Sequence, residues 1–325
     1  MISFIVIGRN EEKNLDNCLK SIEKSAFLNN IQKYEIIFID SNSEDRSVEI
    51  ALQHEQIKIF KIVDQFYNSA VARNIGAKES VGDVLYFIEG DTEIEPSFLG
   101  YVLNDDFTLK YDYVGGVHIE AQLNEDGKVV SEKKYGRGDI KKDQYFPEAS
   151  GMFLIKRNLW EAVGGMKNKF KRSQDIDFAL RLAKKTGVLF LRKREIMNKQ
   201  YRVPHQNIKN SWNMLLKGYH CYSKGMLYRE HFFNALIYPR FIRNDYTILV
   251  LLLSLILVIF HNINWILLYL IVLFVRAIKQ KRDIVTTIDR VAYYFTRDLI
   301  TILSFLFLYP KNRKTDSIKY IRIYQ

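Results

Sequence analysis

From the first residue to about residue 190, short apolar runs alternate with stretches of helical period, and no other feature restricts the fold as much. Ser3–Ile7, Glu35–Asp40, Ile57–Val63 and Asp83–Glu89 read as four strands. Between them, Asn14–Ala26 puts Leu15, Leu19 and Ile22 on one helical face, and Glu44–His54 and Ser69–Ser80 read as two more helices. Short buried strands, each followed by a helix, predict a parallel sheet covered on both faces. Ligands of such sheets bind beyond the carboxyl ends of the strands, so the residues after each run are the candidates for function.

Those residues are polar at three of the four ends. Gly8-Arg9-Asn10-Glu11-Glu12 follows the first run, Asp40-Ser41-Asn42-Ser43-Glu44-Asp45 the second, and Glu89-Gly90-Asp91 the fourth. Helix capping accounts for Ser43 and Ser69, whose hydroxyls suit free helix N–H groups. It accounts less well for two acids flanking a glycine. Carboxylates one residue apart in an extended turn can approach one hard cation, and glycine lets a ligand come close to the backbone. A divalent ion held there bridges the oxygens of a diphosphate and takes up charge as that group leaves. An acid-x-acid triplet is common by chance, and its place after the fourth strand is what gives it weight.

Further along, Gln122–Gln144 is polar and reads as a surface hairpin or mobile loop. Order resumes at Ala149–Ile155, followed by a helix from Lys156 to Val163 that Gly164-Gly165 stops. Asp175-Ile176-Asp177 opens an amphipathic helix reaching about Lys185 and closed by Gly187. The helix dipole is reason enough for Asp177. Asp175 follows the loop Phe170–Ser173, which can set a carboxylate at a cleft as a general base for an acceptor hydroxyl.

The net charge of +11 suggests a nucleic-acid binder until its distribution is read. Residues 199–325 carry 19 Lys/Arg against 6 Asp/Glu, a net +13, and residues 1–198 stand at −2. The excess flanks the apolar runs Thr247–Phe260, Ile263–Val275 and Val291–Tyr309, which is how cytosolic ends of membrane segments are marked. No nucleic-acid partner is expected. The first two runs are each shorter than the ~20 residues a spanning helix needs. A hairpin of the two, not crossing fully, keeps Arg276–Arg282 and Lys311–Lys319 on the side of the first 200 residues, with the last run in the interface. Buried core helices are the alternative. The aromatic and basic stretch Trp212–Tyr238 suits a headgroup layer. Cys18 and Cys221 fit neither a disulfide framework nor a zinc site, and Met1 leads straight into a strand, so no secretory signal is expected.

The motifs together resemble family 2 glycosyltransferases. Asn10-Glu11, Asp40-Ser41, Arg73-Asn74-x-Gly76, Gly82-Asp83 and Glu89-Gly90-Asp91 are similar to the nucleotide-sugar half of that family. Gly151-Met152-Phe153-Leu154-Ile155, Gly164-Gly165 and Gln174-Asp175-x-Asp177-x-x-x-Arg181 are similar to its acceptor half. The resemblance implies an α/β fold of the GT-A type, a Rossmann-like domain with a mixed, mostly parallel sheet over residues 1–200. An amphipathic interfacial region over 201–246 and membrane helices with a basic cytosolic tail over 247–325 would follow. It implies a nucleotide-diphosphate-sugar donor, UDP-linked first of all, and inversion at the anomeric carbon. Ile7, Asn10, Glu11 and Asp40 would hold the base and ribose, Arg73 would lie near the diphosphate, and Glu89 and Gly90 would line the donor. Asp91 with Glu89 would hold Mn²⁺ or Mg²⁺, His205 being a third candidate ligand, and Asp175 would be the base. A glycan or lipid-linked acceptor, a place on the cell inner membrane and a role in cell-envelope polysaccharide assembly are the corresponding expectations.

Two positions depart from the family pattern. Glu89 stands where Asp is usual, and Gln174 removes one acid of the usual pair beside the base. The Gln-x-x-Arg-Trp signature of processive synthases is absent, which favours single addition. The rivals are a polyprenyl-phosphate sugar synthase, a nucleotidyltransferase and a non-catalytic membrane scaffold. A dinucleotide-dependent oxidoreductase is disfavoured, because no G-x-G-x-x-G follows the first strand.

Overall fold

The computed structural model describes residues 1–124, 128–136, 138–202, 208–218, 222–279 and 284–324. The chain forms two compact units, Met1–Pro204 with Lys311–Gln325, and His205–Pro310. The first unit opens with β1 (Ile2–Gly8), α1 (Leu15–Leu28), β2 (Tyr34–Asp40), α2 (Ser47–Ala51), β3 (Ile57–Ile62), α3 (Ser69–Glu79) and β4 (Val84–Glu89). β3, β2, β1 and β4 are parallel neighbours in that order. Strand alternation divides their side chains between two cores. Phe4 and Val6 of β1 pack with Leu15, Leu19 and Ile22 of α1 on one face, and Ile5 and Ile7 with Val71 and Ile75 of α3 on the other. Gly76 lets α3 approach the sheet, because a Cβ there would meet Ile5 Cγ2 at 2.2 Å.

Beyond β4 come β5 (Thr92–Ile94), α4 (Phe98–Val102), β6 (Tyr113–Leu123), β7 (Val129–Tyr135), β8 (Gln144–Phe146), β9 (Phe153–Lys156), α5 (Arg157–Ala162), α6 (Gln174–Thr186) and β10 (Phe190–Arg202). β9 adds antiparallel to β4 and also pairs with β6, and β6 is parallel to β10. The sheet is therefore mixed. The polar stretch after residue 122 is a hairpin, with β7 antiparallel to β6.

Capping differs from the expectation. α2 begins at Ser47, so the helix read from Glu44 is shorter, and Ser43 spends its hydroxyl on the Asn10 N–H (2.9 Å). α3 is capped by Asn68, whose Oδ1 accepts from the Ala70 and Val71 N–H groups, and Ser69 is its first residue. At α3 the carboxamide one residue earlier takes the capping role, whereas α2 follows Arg46 with no side-chain cap, although Asp45 Oδ1 accepts from the Ser47 N–H at 3.0 Å.

The second unit holds α7 (Ile208–Leu216), α8 (Tyr222–Glu230), α9 (Tyr238–Phe260, kinked at Asp245), α10 (Ile266–Ile278) and α11 (Ile284–Phe307). Among the described residues, one helical stretch, Ala235–Phe260, is long and apolar enough to cross a membrane. After it the chain returns to the first unit. β11 (Tyr320–Ile323) pairs antiparallel with β3, covering an edge that would otherwise expose unpaired N–H and C=O groups. Arg313 clamps the return through two bonds to Asp64, at 3.1 and 3.0 Å, and the Tyr320 hydroxyl donates to Glu79 at 2.6 Å. Nothing in the basic sequence Lys311–Lys319 marks a strand to follow, since Tyr320–Ile323 is too short to show a period.

Candidate active site

Three loops converge at the carboxyl ends of β1, β2 and β4. The Asn10 side chain accepts from the Glu44 N–H (3.0 Å), the Glu11 N–H donates to Ser47 Oγ (2.8 Å), and the Glu12 N–H donates to Asp45 (3.0 Å). Asn10 takes a left-handed backbone, with φ at 59°, which asparagine tolerates better than most residues. The Gly90 N–H reaches the Ile7 carbonyl at 2.9 Å, tying the acidic triplet to the first strand. Ile7, Asn10, Glu11, Asp40, Glu89, Gly90 and Asp91 thus lie on adjoining strand ends.

Asp40 is fully buried. Its Oδ2 accepts from the Ser43 N–H (2.9 Å), while Oδ1 is buried with no partner among the described residues. An unsatisfied buried acceptor costs on the order of 1–3 kcal/mol, which a ligand N–H or O–H would recover. Glu11 is the most perturbed carboxyl here. Burial, then repulsion from Asp91, Glu89 and Asp45, pushes it up to about 8, against the pull of a hydrogen bond with Asn14.

Asp91 Oδ2 accepts from Gln200 Nε2 of β10 at 2.6 Å. Glu89 Oε1 accepts from Arg73 at 3.1 Å, and the same guanidinium donates to the Gly151 carbonyl at 2.7 Å. Gly151 is needed for that approach, because a Cβ would sit 2.8 Å from Glu89 Oε1 and 3.0 Å from Arg73 Nη2. Arg73 is itself fully buried and holds Glu89 in place. Among the described residues, no three His, Cys, Asp or Glu side chains gather as a metal cage. Asp91 and Glu89 still suit Mg²⁺ or Mn²⁺, which are held by one or two carboxylates completed by substrate phosphates. His205 lies outside the described residues.

On the other side of Glu89 is a cavity of about 390 Å³, lined by Glu89, His118, Glu148, Asp175 and Asn198 among others. Asp175 stands in the first turn of α6. Asp177 is fully buried and structural: it accepts from Arg181 Nε at 2.8 Å, and that guanidinium donates to the Val163 and Gly165 carbonyls, both at 2.8 Å. The Asp177–Arg181 pair thus fastens α6 to the Gly164-Gly165 turn and fixes the position of Asp175. Asn74 of the Arg73-Asn74-x-Gly76 motif serves a similar end, bonding both the N–H and the carbonyl of Met166.

His118, Glu148, Asn198 and Gln200 escaped the sequence reading. They come from β6, the loop before β9, and β10, which pair across a long stretch of sequence. A faint signal existed in β6, where His118, Glu120 and Gln122 alternate with buried Val117, Ile119 and Ala121.

The glycosyl transferase family 2 model matches residues 3–167, half of the chain and all of the strand ends just described. The chain belongs to glycosyl transferase family 2. It is 30% identical over 119 residues to the glycosyltransferase AglE of Haloferax volcanii, covering 35% of this chain and 38% of that protein. It is 33% identical over 98 residues to the 4,4'-diaponeurosporenoate glycosyltransferase of Staphylococcus haemolyticus, covering 29% and 24%. The matched part is therefore less than two-fifths of either relative. In fold this family 2 chain is similar to residues 1–349 of S. aureus TarS, solved with UDP-GlcNAc, at 12% identity and a TM-score of 0.50 over 93% of this chain and 89% of that one. That likeness agrees with a GT-A fold.

Proposed function

We propose that this family 2 chain transfers a sugar from a UDP-linked or similar nucleotide-diphosphate donor to an acceptor hydroxyl, with inversion, at the cytosolic face of the cell inner membrane. The observation that carries the reading is the cluster of Asp40, Glu11, Glu89 and Asp91 on three adjoining strand ends, with Asp175 across a cavity from Glu89. In this reading the unpartnered Asp40 oxygen and the loops of Asn10 and Glu11 receive the base and ribose. Arg73 positions Glu89, and Gln200 positions Asp91. Asp91 with Glu89 would hold Mn²⁺ or Mg²⁺, which supplies positive charge to the departing nucleoside diphosphate. Asp175 takes the proton of the acceptor hydroxyl as it attacks the anomeric carbon from the face opposite the leaving group. The other acids of the cavity, Glu148 and Glu89, bracket the acceptor's approach. The exposed apolar helices of the second unit support membrane attachment, and an acceptor carried on a lipid or a growing envelope glycan fits that placement.

The test is nucleotide release by the detergent-purified chain from a panel of UDP-, GDP- and dTDP-sugars, with Mn²⁺ and with chelator. Release from one donor class, lost with chelator and in Asp91→Asn and Asp175→Asn, is expected once an acceptor is supplied. Release that survives both substitutions would place the chemistry elsewhere.

A further inference from the structure

In the helical unit polar groups are buried beside an apolar cluster of Leu251, Tyr269 and Leu273, and many large apolar side chains face outward. Asp245, Thr247, Ser254, Asp298, Thr301 and Ser304 are buried, while Leu253, Ile256, Ile259, Phe260, Ile271 and Phe274 are exposed. Water does not favour such a surface; hydrocarbon does. The inner charges are matched: Asp245 meets Lys224 at 2.7 Å, and Asp298 meets Arg297 at 2.8 Å. Gly225 lets α8 cross α11 closely, since a Cβ there would lie 2.0 Å from Ser304 Oγ. Small residues and polar contacts between helices are the packing of a lipid-embedded bundle.

The three apolar helices run side by side. Arg276, late in α10, donates to Thr247 Oγ1 (3.2 Å) and the Asn244 carbonyl (2.8 Å) where the apolar part of α9 begins, so these two are antiparallel. Arg276 also lies 4.8 Å from the ring of Tyr294 in α11. Earlier in α10, Tyr269 donates to Asp298, later in α11, at 3.2 Å. α11 is therefore antiparallel to α10 and shares its depth.

Parity then decides how the unit can meet a membrane. The residues before and after it belong to one sheet, because β11 pairs with β3. Both ends of the helical segment must leave from the same side of a bilayer. Three helices crossing together would put those ends on opposite sides. Two crossing without the third would pull α11 away from α10, against the contacts just given. Zero crossings remain. The lengths of α10 and of the apolar part of α9 agree: α10 has 13 residues, about 20 Å, and Tyr246–Phe260 spans about 22 Å, against a hydrocarbon core of about 30 Å. α11, with 24 residues, is longer but carries Arg297 and Asp298 near its middle. Ala235–Phe260 is long enough in total, but its first half carries Arg240, Arg243 and the kink at Asp245.

We infer that α9, α10 and α11 lie together in the acyl layer of a single leaflet, the one on the side of the sheet-containing unit, and that this segment crosses the bilayer nowhere. The inference rests on the membrane attachment proposed above.

Full-length protein is added to preformed, sealed vesicles of phosphatidylcholine with some phosphatidylglycerol and recovered by flotation. Single cysteines are placed at Phe260→Cys at the end of α9, Leu267→Cys at the start of α10 and Phe307→Cys at the end of α11, all exposed, with Asp105→Cys as an exposed reference on the first unit. Cys221→Ser is the background, Cys18 being buried. Three sites on three helices guard against one variant failing to insert. An impermeant maleimide is supplied outside or trapped in the lumen. The expected result is flotation, fast outside labelling at Asp105→Cys, loss of outside labelling at all three helical sites, and none from the lumen. Lumenal labelling at any site overturns the single-leaflet inference and leaves membrane attachment standing. Outside labelling of all three as fast as the reference overturns embedding in the acyl layer. Failure to float removes the attachment reading itself.

Discussion

In the sheet-containing unit Phe4, Phe38, Phe87 and Phe153 have no exposed surface, whereas in the helical unit the fully buried side chains include Asp245 and Asp298 and the outer ones Phe260 and Phe307. One chain thus carries two different solutions to burial. The first is held by apolar area removed from water. The second keeps a smaller apolar cluster around Tyr269 and Leu273 and adds buried polar groups such as Asp245 and Asp298, which are paired with Lys224 and Arg297. The proposed chemistry belongs to the first, which holds the strand-end carboxylates, the cavity and Asp175, and the proposed attachment to the second.

That division can be broken most sharply at Asp175. Asp175→Asn is expected to lower kcat by about 10²–10⁴-fold, the usual contribution of a general base, while nucleotide binding persists; steady-state rates and UDP titrations check both. Stability should separate the units next. Phe153→Ala is expected to cost about 3–5 kcal/mol through the cavity it opens. In the helical unit the comparable loss, about 3–5 kcal/mol, should come from a polar change instead, Asp245→Leu, which strands Lys224 and Arg297. Thermal unfolding in detergent reads both.

A smaller effect concerns pH. The Glu11 carboxyl, at about 8 in the folded chain against 4.5 unperturbed, keeps a proton that the unfolded chain has lost. Its contribution to stability is therefore full below pH 4.5 and is lost as pH rises towards 8. Melting temperature without ligand should fall across that window, and Glu11→Gln should flatten the slope. The smallest effect is Leu253→Ala. On an exposed helical face it should change detergent stability by no more than about 0.5 kcal/mol, yet weaken vesicle partitioning by roughly 0.8 kcal/mol for each CH₂ removed from lipid. A soluble core helix would show the reverse.

Local pattern made the first half of the fold legible. β1 to β4 and α1 to α3 carry their periods openly, and the candidate site residues follow at the strand ends by rule. The Asp175 helix was readable from its glycine brackets. What stayed hidden depends on pairing between distant segments. Gln200 reaches Asp91 across 109 residues, and β11 joins β3 after the whole helical unit has intervened. Arg73 was placed near the donor by resemblance, but its burial against Glu89 and Gly151 is a packing outcome with no local sign. Ser43 and Ser69 misled because capping preference names a residue type and not which of several neighbours wins.

The most direct test of the account is calorimetric titration of UDP with Mn²⁺ into the wild-type chain, Asp40→Ala, Asp91→Asn and Asp175→Asn. The account predicts that wild type and Asp175→Asn bind, and that Asp40→Ala and Asp91→Asn lose binding. Unchanged binding in Asp40→Ala and Asp91→Asn would contradict it, because the nucleotide would then sit somewhere other than the strand ends.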